Sequence, residues 1–187
     1  VCSSDRGAEQ VPGVIRQCDA AGIGFAVVFS AGFREIGARG ADAQAELDRA
    51  IRETRVRVIG PNCQGIMNLH NGLLCGFGSS FMNRALQPGA FAMMSQSGGF
   101  GYGVVTQASH AGVGFGYVVS AGNEGGLGTL DFLEWFAGRD DVRGLATYIE
   151  GIRDGARLRR LGQRALALRK PVLVWKVGNS PDGQRAA

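Results

Sequence analysis

Apolar residues along this chain follow two alternating periods. Val11, Val14 and Ile15 fall at helical spacing, and Ser3, Ser4 or Asp5 can cap the turn before them. Residues 5–21 are therefore expected to form a helix that Gly22 and Gly24 end. Residues 25–29 are a continuous apolar run of strand length, the pattern of a strand buried on both faces in a parallel sheet. A loop over 30–37 leads to a second helix over 42–54, with Leu47, Ala50 and Ile51 inward. A strand over 56–59 then stops at Gly60 and Pro61. Helix, strand, helix, strand implies parallel strands joined by right-handed crossovers.

Residues 64–88 carry no strong helical period, and only 66–68 and 73–77 are expected to be short extended pieces. The QPG triplet at 87–89 is the best candidate domain boundary. The pattern then restarts. Strands are expected over 90–95, 115–120, 145–149 and 171–176, the first three each followed by a loop and a helix ending near 111, 136 and 169. The tail over 178–183 has the composition of another strand-to-helix loop. The class is α/β, with parallel sheets in three layers.

In such sheets ligands bind outside the carboxyl ends of the strands. Four loops of small residues lie there, at 30–33, 95–99, 121–126 and 178–183. In the second, Ser97, Gly98 and Gly99 stand at a helix start, whose free N–H groups attract a phosphate or carboxylate; tight turning is the bland alternative. Ser97 also has a little of a hydrolase nucleophile about it. However, Ser95 stands where that motif needs glycine, and the only later histidine, His110, lies in the same helix. Cys63 follows the turn Gly60, Pro61, Asn62 and reads as a packing cysteine ahead of a reactive one. Glu150 ends a strand at the ligand edge, where its carboxylate either orients a catalytic group or caps the next turn; Glu124 has the same ambiguity.

Composition narrows the class. A chain of 187 residues with 45% hydrophobic and 19% charged residues suits a buried core and excludes disorder. Its 31 glycines follow no fixed period, which excludes collagen-like and low-complexity readings. The net charge is +4, and the arginines at 153, 157, 159, 160, 164 and 169 interleave with Leu158, Leu161, Ala165 and Leu168. That is a solvated face of an amphipathic helix rather than a nucleic-acid patch, since the run has no aromatic residue for base stacking. The four cysteines form no C-x-x-C pair, so no metal site is expected. No signal peptide or membrane-length apolar run is visible, and a cytoplasmic protein with free thiols, binding neither membrane nor nucleic acid, is the expectation. The chain begins at Val1, so a preceding segment is expected.

Six motifs taken in order carry a family resemblance: SAGFREIG at 30–37, IGPNCQG at 59–65, SQSGG at 95–99, SAGNE at 120–124, YIEG at 148–151 and KPVLVWK at 170–176. Together they resemble the NDP-forming acyl-CoA synthetases, typified by ADP-forming acetyl-CoA synthetase and the α subunit of succinyl-CoA synthetase. The resemblance covers nearly the whole chain. It implies the end of a Rossmann-like CoA-binding domain over 1–88 and a flavodoxin-like CoA-ligase domain over 89–187. It also implies the interconversion of acyl-CoA, phosphate and NDP with acid, CoA and NTP, through an acyl phosphate and a phosphohistidine. On this resemblance Ser30, Ala31, Gly32, Phe33, Pro61, Asn62 and Cys63 approach coenzyme A, Ser97, Gly98 and Gly99 hold the phosphoryl group, and Glu150 hydrogen-bonds the phosphohistidine. Neither His70 nor His110 matches that histidine, and neither the family's amino-terminal glycine-rich βαβ unit nor its nucleotide-grasp domain is recognisable. Nucleotide and Mg2+ are thus expected in a separate nucleotide-grasp domain or β subunit. The chain is expected to be the middle of a longer enzyme, inactive alone, with self-association left open. Two other classes compete: a CoA-binding regulatory module fused to an acetyltransferase, and a non-catalytic partner subunit.

Overall fold

The alternating periods resolve, in a computed structural model describing residues 2–4 and 6–178, into two sheets. The first holds three parallel strands, β1 (Cys2–Ser4), β2 (Phe25–Val28) and β3 (Arg57–Ile59), in the order β1-β2-β3. Helices α1 (Val11–Ala20) and α2 (Ala41–Glu53) form the crossovers. The run expected to be helical from residue 5 is therefore shorter. Residues 2–4 pair with Ala26–Val28 as a strand, a 3-10 turn covers Ala8–Gln10, and Pro12 sits in the first turn of α1, where its missing N–H costs nothing. Long-range pairing overrides the capping signal of the serines. The proposed cap at Asp5, and the tail beyond residue 178, lie outside the described residues.

The second sheet has six strands in the order β5-β4-β7-β6-β8-β9. Strands β6 (Phe91–Ser95), β7 (Phe115–Ser120), β8 (Gly144–Ile149) and β9 (Val172–Lys176) are parallel. Strands β4 (Gly65–Asn68) and β5 (Leu73–Gly76) form a hairpin, and β4 pairs antiparallel with β7. The two short extended pieces therefore belong to the second sheet, which is mixed at this edge rather than wholly parallel. A single helical turn, α3 (Ser79–Met82), follows the hairpin; α4 (Gly98–His110), α5 (Thr129–Ala137) and α6 (Gly155–Ala167) are the crossover helices.

Strand alternation sorts the core. Ala26, Val28 and Val58 face Val11, Ile15, Leu47 and Ala50 of the first two helices. The opposite side chains, Val27 and Ile59, join Met94, Val119, Leu133, Phe136 and Leu161, so the first sheet packs directly on the α5–α6 side of the second. The other face of the second sheet buries Met67, Met93 and Val118 against Tyr102 and Val105 of α4. Within the apolar run at 25–29, Ala26, Val27 and Val28 are buried on both faces, while Phe25 at its start is exposed. Among the described residues no helix is long and apolar enough to cross a membrane.

Candidate functional site

The carboxyl ends of β6, β7 and β8 meet the ends of β2 and β3 across an open cleft of about 750 Å3. Two successive loops build it. After β3 the chain turns at Gly60, Pro61 and Asn62, with Asn62 in a left-handed conformation at φ 55°. The loop after β7 is laid along that strand end: Leu127 N–H donates to Val58 O at 2.7 Å, Gly125 N–H to Gly60 O at 2.8 Å and Asn123 N–H to Pro61 O at 2.9 Å. The glycines of this loop serve that contact. A Cβ at Gly122 would stand 2.2 Å from Pro61 O and one at Gly126 2.4 Å from Val58 O, so here the small residues admit neighbouring backbone rather than a ligand.

Polar side chains tie the loops together. The Glu35 carboxylate accepts from Gly32 N–H (2.5 Å), Phe33 N–H (3.1 Å) and the Asn123 side-chain amide (2.5 Å), and Asn62 donates to Asn123 Oδ1 at 3.2 Å. Burial by itself would raise the Glu35 carboxyl; the hydrogen bonds from Asn123, Gly32 and Phe33 outweigh it and hold Glu35 below the ordinary carboxylate range. Arg153 reaches the backbone oxygen of Asn123 at 3.2 Å.

On the other wall α4 begins. Ser97 is its N-cap and accepts from Phe100 N–H at 3.4 Å, while the first turn leaves the N–H groups of Gly98 and Gly99 without an intrahelical acceptor. Gly99 faces open space. Gly98 does not: a Cβ there would lie 2.5 Å from the Gln64 Cβ, so its smallness packs α4 against the start of the hairpin. Gln96 holds the β8 end, accepting from the N–H groups of Glu150 (2.6 Å) and Gly151 (2.9 Å) and donating to Gly151 O at 2.9 Å. The half-buried Glu150 carboxylate accepts no hydrogen bond from the described residues. Burial lifts it above the usual carboxylate value, and the nearby Lys176 charge restrains part of that rise.

The structure brings Asn62, Ser97, Gly98 and Glu150 onto one cleft. It separates others from it. Phe33 is fully buried in the first core, and Ser30 and Pro61 are buried. Cys63 is buried in the core between the two sheets, its thiol donating to Val28 O at 3.3 Å and pushed up to about 12 by burial. Phe33 and Cys63 therefore present no exposed side chain to the cleft, while Ala31 and Gly32 remain accessible. Glu124 resolves as a cap, accepting from Thr129 N–H at 2.8 Å. His110 ends α4, about 20 Å along the axis from Ser97 at 1.5 Å per residue, which removes any hydrolytic pair between them. Arg157, in the basic run, is engaged by Asp131 and Glu134 of α5. Glu35, Gln96, Asn123 and Lys176 were missed as site residues. Their only sequence signal is a polar side chain inside a small-residue loop or at a strand end.

Residues 88–187 match the family model described as the succinyl-CoA ligase like flavodoxin domain. Over 180 residues the chain is 38% identical to acetate–CoA ligase [ADP-forming] I of Archaeoglobus fulgidus, covering 96% of this chain and 26% of that protein. Over 171 residues it is 36% identical to acetate–CoA ligase [ADP-forming] II subunit alpha of Pyrococcus furiosus, covering 91% and 36%. A solved structure, the apo form of dinucleotide forming acetyl-coenzyme A synthetase 1 of Ca. Korarchaeum cryptofilum, superposes with a TM-score of 0.86 at 32% identity, covering 98% of this chain and 39% of that one. The same enzyme has been solved in complex with phosphate and ADP. The chain thus spans between about a quarter and two fifths of the length of these relatives.

Proposed function

The chain belongs to the family of the succinyl-CoA ligase like flavodoxin domain, and we propose that it forms the CoA-side and phosphate-side walls of an NDP-forming acyl-CoA synthetase. In that reaction phosphate attacks the thioester carbonyl, releasing the CoA thiol and leaving an acyl phosphate. A histidine then takes the phosphoryl group, releasing the carboxylic acid, and passes it to NDP to give NTP. On this reading residues 1–88 approach CoA through the turns at Ala31–Gly32 and Asn62, and residues 89–187 handle phosphate, with the hairpin at 65–76 built into the second sheet. The first turn of α4 at Ser97, Gly98 and Gly99 receives the phosphoryl group, and Glu150 faces the histidine that carries it. That histidine would come from a loop following β9, and the nucleotide and Mg2+ from a nucleotide-grasp domain or β subunit.

The observation that carries the reading is the convergence on one cleft of a helix N-terminus and an unpaired, half-buried carboxylate. The helix end favours an anion by up to about 2 kcal/mol in partly buried geometry. A carboxylate opposite it suits a group that is protonated or donates a hydrogen bond, as a phosphohistidine ring does. No lysine follows in the manner of a P-loop, so phosphate affinity should be modest and salt-sensitive.

Titration of the chain with inorganic phosphate, read by backbone amide NMR, tests it. Shifts should centre on residues 97–100. Shifts confined to the arginines of α6 would overturn the assignment. Calorimetry with CoA should give weak binding, with amide shifts at residues 31, 32 and 62; no response there would remove the CoA side of the reading.

A further inference from the structure

We propose that Gln96 and Lys176 are positioning residues for Glu150, clamping its main chain from both sides so that its carboxylate stands unpaired on the cleft it shares with the start of α4. The inference deepens the proposed phosphate site and rests on that reading for its purpose, though its geometry stands independently.

The two polar backbone groups of Glu150 are held by side chains from the strands on either side of β8. Gln96, at the end of β6, accepts the Glu150 N–H, and the same oxygen accepts the Gly151 N–H while its amide donates back to Gly151 O. All three of these side-chain bonds go to the β8–α6 loop. Lys176, the last residue of β9, donates from Nζ to Glu150 O at 2.8 Å and to Val177 O. A loop residue at a strand end ordinarily takes whatever main-chain direction its neighbours allow. Here two long side chains set it, and neither touches the Glu150 carboxylate with a hydrogen bond.

This arrangement suits a carboxylate that must accept a hydrogen bond from an incoming ring. If Gln96 or Lys176 paired with the carboxylate directly, its acceptor positions would be filled and its charge quenched. By holding the backbone instead, they fix the direction while leaving both oxygens available, and the Lys176 ammonium remains near enough to favour the ionised form. Gln96 adds a second link. It immediately precedes the N-cap Ser97, so one residue ties the position of the carboxylate to the position of the helix start facing it.

The test uses the 187-residue chain labelled with 13C at glutamate carboxyls, with the Glu150 signal assigned by its loss in Glu150→Gln. Gln96→Leu removes all three hydrogen bonds at similar size. The loop should loosen and hydrate, lowering the Glu150 titration midpoint by about half a pH unit or more, within the ordinary spread of folded carboxylates. Lys176→Met should move the midpoint upward, because a neighbouring positive charge is lost, and Lys176→Arg should restore it. Lys176 lies on an edge strand, so its variants report even if Gln96→Leu fails to fold. Folded variants that melt at lower temperature with the Glu150 midpoint unmoved would overturn the proposal and leave both residues merely structural. Phosphate titration of the unaltered chain reports separately on the site itself. Absent shifts at residues 97–100 with a displaced Glu150 midpoint would sink the phosphate reading and keep the clamp.

Discussion

Alanine at Gly98 and alanine at Gly99 should act in opposite directions, although the two positions are adjacent in the first turn of the same helix. Both substitutions gain the same helix-propensity term, roughly 0.5–1 kcal/mol for glycine to alanine. They differ in what the new methyl meets. At Gly99 it meets nothing within 4 Å. At Gly98 it meets the Gln64 Cβ at 2.5 Å, the Gln64 Oε1 at 2.9 Å and the Ser120 Oγ at 3.2 Å. A relaxed carbon–carbon contact lies near 3.5–4.0 Å, so α4 or the start of β4 must shift by about an ångström. Gln64 is poorly placed to yield, because its N–H donates to Ser120 Oγ and its amide to Phe77 O. Overpacking of this kind costs about 1–3 kcal/mol. Since the propensity term cancels between the two variants, their difference isolates that cost: Gly99→Ala should be the more stable by about 1–3 kcal/mol. At this chain length each kcal/mol moves the melting temperature by roughly 2–4 °C. Thermal unfolding followed by circular dichroism, with both variants run beside the parent chain, reads it directly. Equal melting temperatures would refute the packing role given to Gly98 and return it to the ligand-approach role its sequence context suggested.

Tyr102→Phe removes a buried hydroxyl that donates to Gly65 O at 2.7 Å. A loss of about 0.5–1.5 kcal/mol should appear in denaturant unfolding, and an unchanged midpoint would contradict the bond. Cys63, buried and with its thiol pushed up to about 12, should resist a thiol-specific disulfide reagent at pH 8 until the chain unfolds; native-state labelling at the rate of an exposed thiol, located by peptide mapping, would contradict its place in the core. Glu150 holds its proton more tightly folded than unfolded, so its ionisation weakens the fold as pH rises from the ordinary carboxylate range through the raised folded value. Glu150→Gln should therefore gain stability over the parent chain at pH 7 and none below that range; a gain that is independent of pH would assign the effect to something other than charge.

The order of strands and helices after residue 22, and the placing of small-residue loops at the carboxyl ends of strands, were legible in the sequence because both are local. An apolar run such as 115–120 states its own burial, and a glycine-rich stretch states where the backbone turns. Ser97 and Glu150 could be nominated on the same ground, since a strand end in a parallel sheet is a ligand edge wherever the sheet lies. What such patterns leave undecided is what each loop meets. Residues 2–4 became a strand through pairing with Ala26–Val28, against their local capping signal. The hairpin at 65–76 joined the second sheet because Ile66, Met67 and Asn68 found β7, more than 40 residues onward. The glycines of 121–126 admit the backbone of β3, and Gly98 admits Gln64, where composition alone suggested a ligand. The polar contacts that shape the cleft join residues 54 positions apart for Gln96 with Glu150 and 88 for Glu35 with Asn123. A hydrogen bond across such a separation imposes no period on the chain between its ends. Only the packing of one sheet against the other decides that it forms.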